Sequence, residues 1–199
     1  MGRALTFLME WLWRLLYLNA LWILFSLPII TIIPATASMF SVMDKWVRND
    51  QHEPDFKVYV SEFKRLFLKS YPLGLSIMLV GCLLVLDLLI LRNAVSEIFV
   101  TIRYALLLLS LLFLIAVAYS FPVYLRFQYP WYKTLFFSFM LGIRNPIITF
   151  LASCGFLLVL LLFMFATGVG LLIFASLIAL ISTISAHFII ISLPEAAVN

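Results

Sequence analysis

Long apolar blocks separated by short charged segments divide the chain. Between Arg14 and Asp44 no residue is charged. Further blocks run from about Tyr71 to Leu91, Tyr104 to Leu125, Asn145-Pro146 to Ala166, and Leu171 to Leu193, where Pro194 ends the last. About 20 apolar residues rising ~1.5 Å each cross a bilayer core. The pattern therefore predicts an all-α, polytopic transmembrane bundle of about five spans. Pro146 suits the first turn of span four, where its missing N–H is no loss. Gly168-Val169-Gly170 predicts a tight turn, making spans four and five a helical hairpin.

The first block is longer than a span needs, and Pro28 and Pro34 break it. Each proline removes a backbone donor and disfavours helix just before it. Lipid offers freed carbonyls no replacement partner. Ser26 to Pro34 is therefore expected to be non-helical or kinked and packed against other helices. Asn19, Ser26 and Thr31 are the polar side chains placed to repair it.

The substantial polar segment is Asp44 to Lys69. Arg48 to Asp55 reads as a loop, with Asp55 a candidate N-cap. From Phe56 onward, Phe56, Tyr59, Val60, Phe63, Leu66 and Phe67 recur at helical spacing, while Lys57, Lys64, Arg65 and Lys69 project elsewhere. Such a helix can lie in the interface, aromatic face down and cations toward headgroups. The whole chain, 1–199, is expected to form one transmembrane domain with this loop and interfacial helix at 44–69.

Composition supports the membrane class. Hydrophobic residues make up 65% of the chain and charged residues 11%, against roughly 45–50% and 25% in soluble domains. A soluble core of this size could not bury so much apolar surface. Cys82 and Cys154 lie apart within apolar blocks and read as small apolar side chains. Trp11, Trp13, Trp46 and Trp131 lie near block ends, where interfacial aromatics belong.

Lys and Arg in short loops set orientation. Loop one carries Lys45, Arg48, Lys57, Lys64, Arg65 and Lys69; loop three, residues 126–144, carries Arg126, Lys133 and Arg144. Loop two has Arg92 and Arg103, and loop four has neither residue type. Loops one and three are thus expected in the cytoplasm of a cell-membrane protein. Five crossings place the N-terminus outside. If the first block bends back without crossing, the N-terminus lies inside, and Arg3 and Arg14 join the cytoplasmic side.

The run from Asn19 to Ala37, with Trp22, Ser26, Pro28, Thr31 and Pro34, resembles the signature of the YesL family of bacterial multipass membrane proteins. Phe63 to Ser70 and Tyr119 to Phe127 fit the same pattern, and the likeness covers essentially the whole chain. Ile33 stands where a glycine is commoner. The family has no assigned biochemical function. Its genes often lie beside those for carbohydrate ABC importers and polysaccharide-degrading enzymes, so the resemblance implies a supporting role in sugar uptake. It implies no catalytic residues.

Among single residues, Asp87 is the clearest intramembrane charge. It reads as a residue near the outer end of span two, in reach of headgroup water or Arg92, or else as part of an ion path. His187 lies inside span five without a second ligand nearby and reads first as a packing histidine. Arg126 and Arg144 flank loop three as cytoplasmic anchors. The broken first block could instead supply a substrate site, as in secondary transporters, although no second broken helix matches it.

No HExxH, GxSxG or phosphate-binding glycine loop occurs, so an enzyme, cofactor or metal centre is not expected. The basic residues are explained by topology, which leaves no case for nucleic acid. The expected partners are the lipid bilayer and the membrane subunits of a sugar ABC importer. The expected function is therefore a non-catalytic accessory or regulator of carbohydrate uptake, with a small transporter or channel component as the alternative.

Overall fold

The computed structural model describes residues 2–48, 56–93, 96–165 and 167–192; the expected 49–55 loop, with its Asp55 cap, lies outside them. The described residues form eight α-helices and two short 3-10 turns, with no strand. The helices are α1 (Gly2–Ser26), α2 (Ile32–Val47), α3 (Phe56–Leu66), α4 (Tyr71–Ile90), α5 (Glu97–Phe127), α6 (Trp131–Arg144), α7 (Pro146–Phe165) and α8 (Thr167–Ile191). Four are long and apolar enough to cross a membrane: α4, α5, α7 and the Leu172–Ile191 part of α8. The chain is an all-α membrane protein, as its blocks predict.

The first block does not supply a straight fifth span. Trp22 Nε1 donates to Thr36 Oγ1 at 3.0 Å. Further from the break, the Arg14 guanidinium lies 6.0 Å from the Trp46 ring centroid. Partners move apart in sequence on both sides of the break together, so α1 and α2 run antiparallel. They form a hairpin whose tip is Leu27 to Thr31.

The tip is made by local chemistry. Pro28 is extended, at φ −75° and ψ 121°, and Ile29–Thr31 forms one 3-10 turn. The Thr31 N–H donates to the Pro28 carbonyl at 2.9 Å. Its hydroxyl lies 2.6 Å from the Phe25 carbonyl and 2.7 Å from that of Pro28. Pro34 is the third residue of α2, in the first turn, where helical N–H groups lack partners anyway. The expected break therefore does not extend to Pro34, which is helical. The expectation that the break packs against other helices is also corrected: Leu27, Ile29 and Ile30 are 73%, 81% and 73% exposed. Thr31→Val should lower stability in detergent by about 1–2 kcal/mol, because it strips a hydroxyl donor from carbonyls with few alternatives. Thr31→Ser should retain most of it; equal melting of all three proteins would refute the repair.

Contacts group the chain into two compact units, residues 1–70 with 145–199, and residues 71–144. In the first, α1 buries Leu15, Leu18, Asn19 and Leu21, while α2 buries Ala35, Ala37, Met39 and Met43. Both pack on α8, which buries Ser176, Ala179, Ser182, Thr183 and Ala186. Small side chains suit this seam because close packing, not water exclusion, holds helices together in lipid. α7 and α8 run antiparallel, with Phe163 and Phe174 rings 5.1 Å apart. The glycine turn is corrected: Gly168 and Gly170 lie within the α8 helix, consistent with the frequency of glycine in membrane helices.

The second unit contains α4, α5 and α6. Here the sequence reading of 126–144 as a loop is corrected, because Trp131–Arg144 is helical. α5 stops at Gln128, which is left-handed at φ 51° and donates its N–H to the Tyr124 carbonyl at 2.9 Å. Phe127, Tyr129 and Phe137 pack ring against ring at the corner. Thr134, Ser138, Leu141 and Gly142 then form a buried stripe at helical spacing along α6, which packs on α5.

Candidate functional site at the base of the hairpin

The most organised polar chemistry lies where α3 meets the open end of the α1–α2 hairpin. Glu62, on α3, is buried at 6% exposure. Ser41 Oγ and Lys45 Nζ, one turn apart on α2, each donate to its carboxylate at 2.8 Å. Arg65 Nε, one turn along α3, donates at 2.9 Å, and Arg65 Nη2 donates to the same oxygen. One carboxylate thus ties two helices and two cations together. Asp44, also buried, pairs with Arg48 at 3.1 Å. Arg14 lies over Trp11 as well as Trp46, 5.5 Å from the Trp11 centroid.

Burial alone would raise the Glu62 pKa. Hydrogen bonds from Lys45, Ser41 and Arg65, and the Lys45 charge, outweigh that and hold it below the ordinary carboxylate range. The carboxylate is therefore the working form.

Tyr59 fixes the other half of α3. It is fully buried, and its hydroxyl donates to the Ala35 carbonyl at 3.0 Å. Burial pushes its pKa up, which keeps the phenol neutral and able to donate. Phe25 packs its ring 5.3 Å from Tyr59 and 4.9 Å from Phe63. The aromatic stripe of α3 thus finds protein partners on the hairpin.

The residues singled out in the sequence fall on several helices. Asn19 is buried in α1, and Ser26 ends that helix. Pro28 and Thr31 form the hairpin tip, and Pro34 opens α2. Asp87 is exposed on α4, and among the described residues no ion pair joins it to Arg92. Arg126 lies in the last turn of α5. His187 is half-buried on α8, its ring 6.4 Å from Phe188. Trp46, expected at an interface, is 2% exposed inside the first unit. The structure brings together Pro28, Thr31 and Pro34 at the hairpin tip.

Sequence reasoning missed Ser41, Asp44, Tyr59 and Glu62 as a site. The Glu62–Arg65 and Asp44–Arg48 spacings were visible as helical ion pairs, but nothing local joined residue 62 to residues 41 and 45. In the resulting arrangement the Glu62 carboxylate accepts from Ser41, Lys45 and Arg65. Its chemistry is that of a clamp, with Lys45, Arg48 and Arg65 leaving part of their charge exposed at the rim.

A family model described as "Protein of unknown function, DUF624" matches residues 15–88, a stretch that holds the hairpin tip and the clamp. Over 176 residues the chain is 34% identical to the Bacillus subtilis protein "Uncharacterized protein YesL", covering 87% of this chain and 83% of that one. The chain belongs to the YesL-like DUF624 family. Two further Bacillus subtilis members are similar: YteU at 32% identity over 92% of this chain and 81% of its own, and YesV at 30% over 74% of each. No solved structure matches. Within the DUF624 match lie Ser41, Lys45, Glu62 and Arg65; Arg126 and His187 fall beyond it.

Proposed function

We propose that this DUF624-family protein is a non-catalytic membrane protein that supports a carbohydrate ABC uptake system by contacting its membrane subunits. The importer link rests on the family resemblance, through the gene neighbourhood described above. The observation favouring a contact role over solute passage is the closed interior of the first unit. Asn19, Ser38, Ser182 and Thr183 are each at most 1% exposed, and Ala35, Ala37, Ala179 and Ala186 are fully buried. A solute path needs polar groups open to water, and these are sealed by close packing. In this reading residues 44–69 and 126–144 face the cytoplasm of the cell membrane.

One observation favours the second reading, a small transporter or channel component. The Ser182 and Thr183 hydroxyls are buried without a hydrogen-bond partner among the described residues, as groups awaiting a solute would be. Purification of the tagged protein from native membranes in mild detergent separates the two. The accessory role predicts co-purification of importer membrane subunits and no solute flux through vesicles holding this protein alone. Flux by the isolated protein, with no importer subunit retained, overturns it.

A further inference from the structure

We infer that the α1–α2 hairpin is re-entrant: it enters the bilayer from the side bearing α3, seats its apolar tip among acyl chains, and returns without crossing. This inference does not depend on the importer reading.

Length is the first reason. From Arg14 to Ser26 on one arm, and from Ile32 to Asp44 on the other, each helix rises ~18 Å, while the hydrocarbon core is ~30 Å thick. Both arms reach a shared level of charge at the base, where Arg14 lies over Trp46 and Asp44, Lys45, Arg48 and Glu62 pair. Ionised groups belong at the headgroup level. With the base there, the tip stops roughly two-thirds of the way through.

The tip is built for hydrocarbon. Leu27, Ile29 and Ile30 point outward, and no charge lies between Arg14 and Asp44. Non-helical backbone at membrane depth must satisfy its own polar groups. Thr31 donates its N–H and hydroxyl inside the turn, and the Ile32 N–H donates to the Ile29 carbonyl. Pro28 and Pro34 carry no N–H at all. Prolines that would weaken a crossing helix here remove donors that lipid could not meet.

The consequence is that residues before Arg14 and residues after Val47 share one side of the membrane. The test uses three single-cysteine proteins, Thr6→Cys, His52→Cys and Ile29→Cys, in a background lacking Cys82 and Cys154. In intact cells, an impermeant maleimide added outside should label none of them. After permeabilisation the thiols at positions 6 and 52 should react, and the thiol at position 29 should react only on denaturation. A bimane attached at position 29 in reconstituted vesicles should be quenched by lipids brominated along the acyl chain. Outside labelling at one of positions 6 and 52 but not the other means the hairpin crosses, and overturns the inference. Outside labelling at both keeps the hairpin re-entrant and reverses only the cytoplasmic assignment, provided position 29 stays protected. Labelling of position 29 in intact or permeabilised cells means the tip emerges, which also overturns the inference. A thiol there that is unreactive but whose bimane is unquenched means protein covers the tip, and lipid is then the wrong occupant. If Ile29→Cys does not accumulate, Leu27→Cys serves the same arms.

Discussion

Glu62→Ala should detach α3 from the hairpin and lower stability in detergent by about 2–3 kcal/mol. Removing one partner of a fully buried ion pair costs roughly 3–5 kcal/mol; the Lys45 and Arg65 side chains keep 31% and 49% exposure and so recover part of that in water. The loss should appear as a lower melting temperature and as faster hydrogen exchange confined to residues 56–66. Glu62→Gln keeps the shape and one acceptor but not the charge, so it should fall between wild type and alanine. pH gives an independent check. The folded-state pKa is depressed, so the carboxylate's contribution is complete above the ordinary carboxylate range and disappears as pH falls through the depressed value. Wild type should therefore lose stability in acid more steeply than Glu62→Gln. Parallel pH profiles for the two proteins would dismiss the clamp.

Gly142→Leu should prevent α6 from seating on α5, with Gly142→Ala costing about 1–3 kcal/mol as an overpacked variant. A Cβ at Gly142 would overlap Ile115 and come within 3.3 Å of the Tyr119 ring. Tyr119 is 1% exposed and has no room to retreat. The decisive measurement is rescue. Gly142→Ala combined with Ile115→Ala should melt higher than the sum of the two single losses predicts, because the second change removes the overlapping methyl. Strict additivity would mean that Gly142 matters for some reason other than its missing side chain.

What the sequence made legible follows from how far each signal reaches. The blocks at 71–91, 104–125, 145–166 and 171–193 announce α4, α5, α7 and α8, because about 20 predominantly apolar residues have few alternatives to a membrane helix. α6 was hidden because Lys133, Arg144 and several aromatic residues made 126–144 look like a charged connector. Its buried face includes Thr134, Ser138 and Gly142, small residues that hydropathy does not register. The prolines marked the tip correctly, but not that Pro34 falls harmlessly in a first turn. The clamp was least legible. It joins residue 62 to residues 41 and 45 across a hairpin, and no local periodicity encodes that distance.

The first unit is also discontinuous in sequence, closing residues 1–70 with a helix from the far end of the chain. That imposes an order on synthesis. By the time residue 144 is made, α4, α5 and α6 possess every partner within their own unit. The α1–α2 hairpin, made first, still lacks α8 and the seam formed by Ser176, Ala179 and Thr183. Until the ribosome delivers those residues, α1 and α2 lack the helix on which both pack. A segment made before α4, α5 and α6 is thus completed after them. In that interval it is the part most exposed to membrane proteases and most in need of an insertion chaperone.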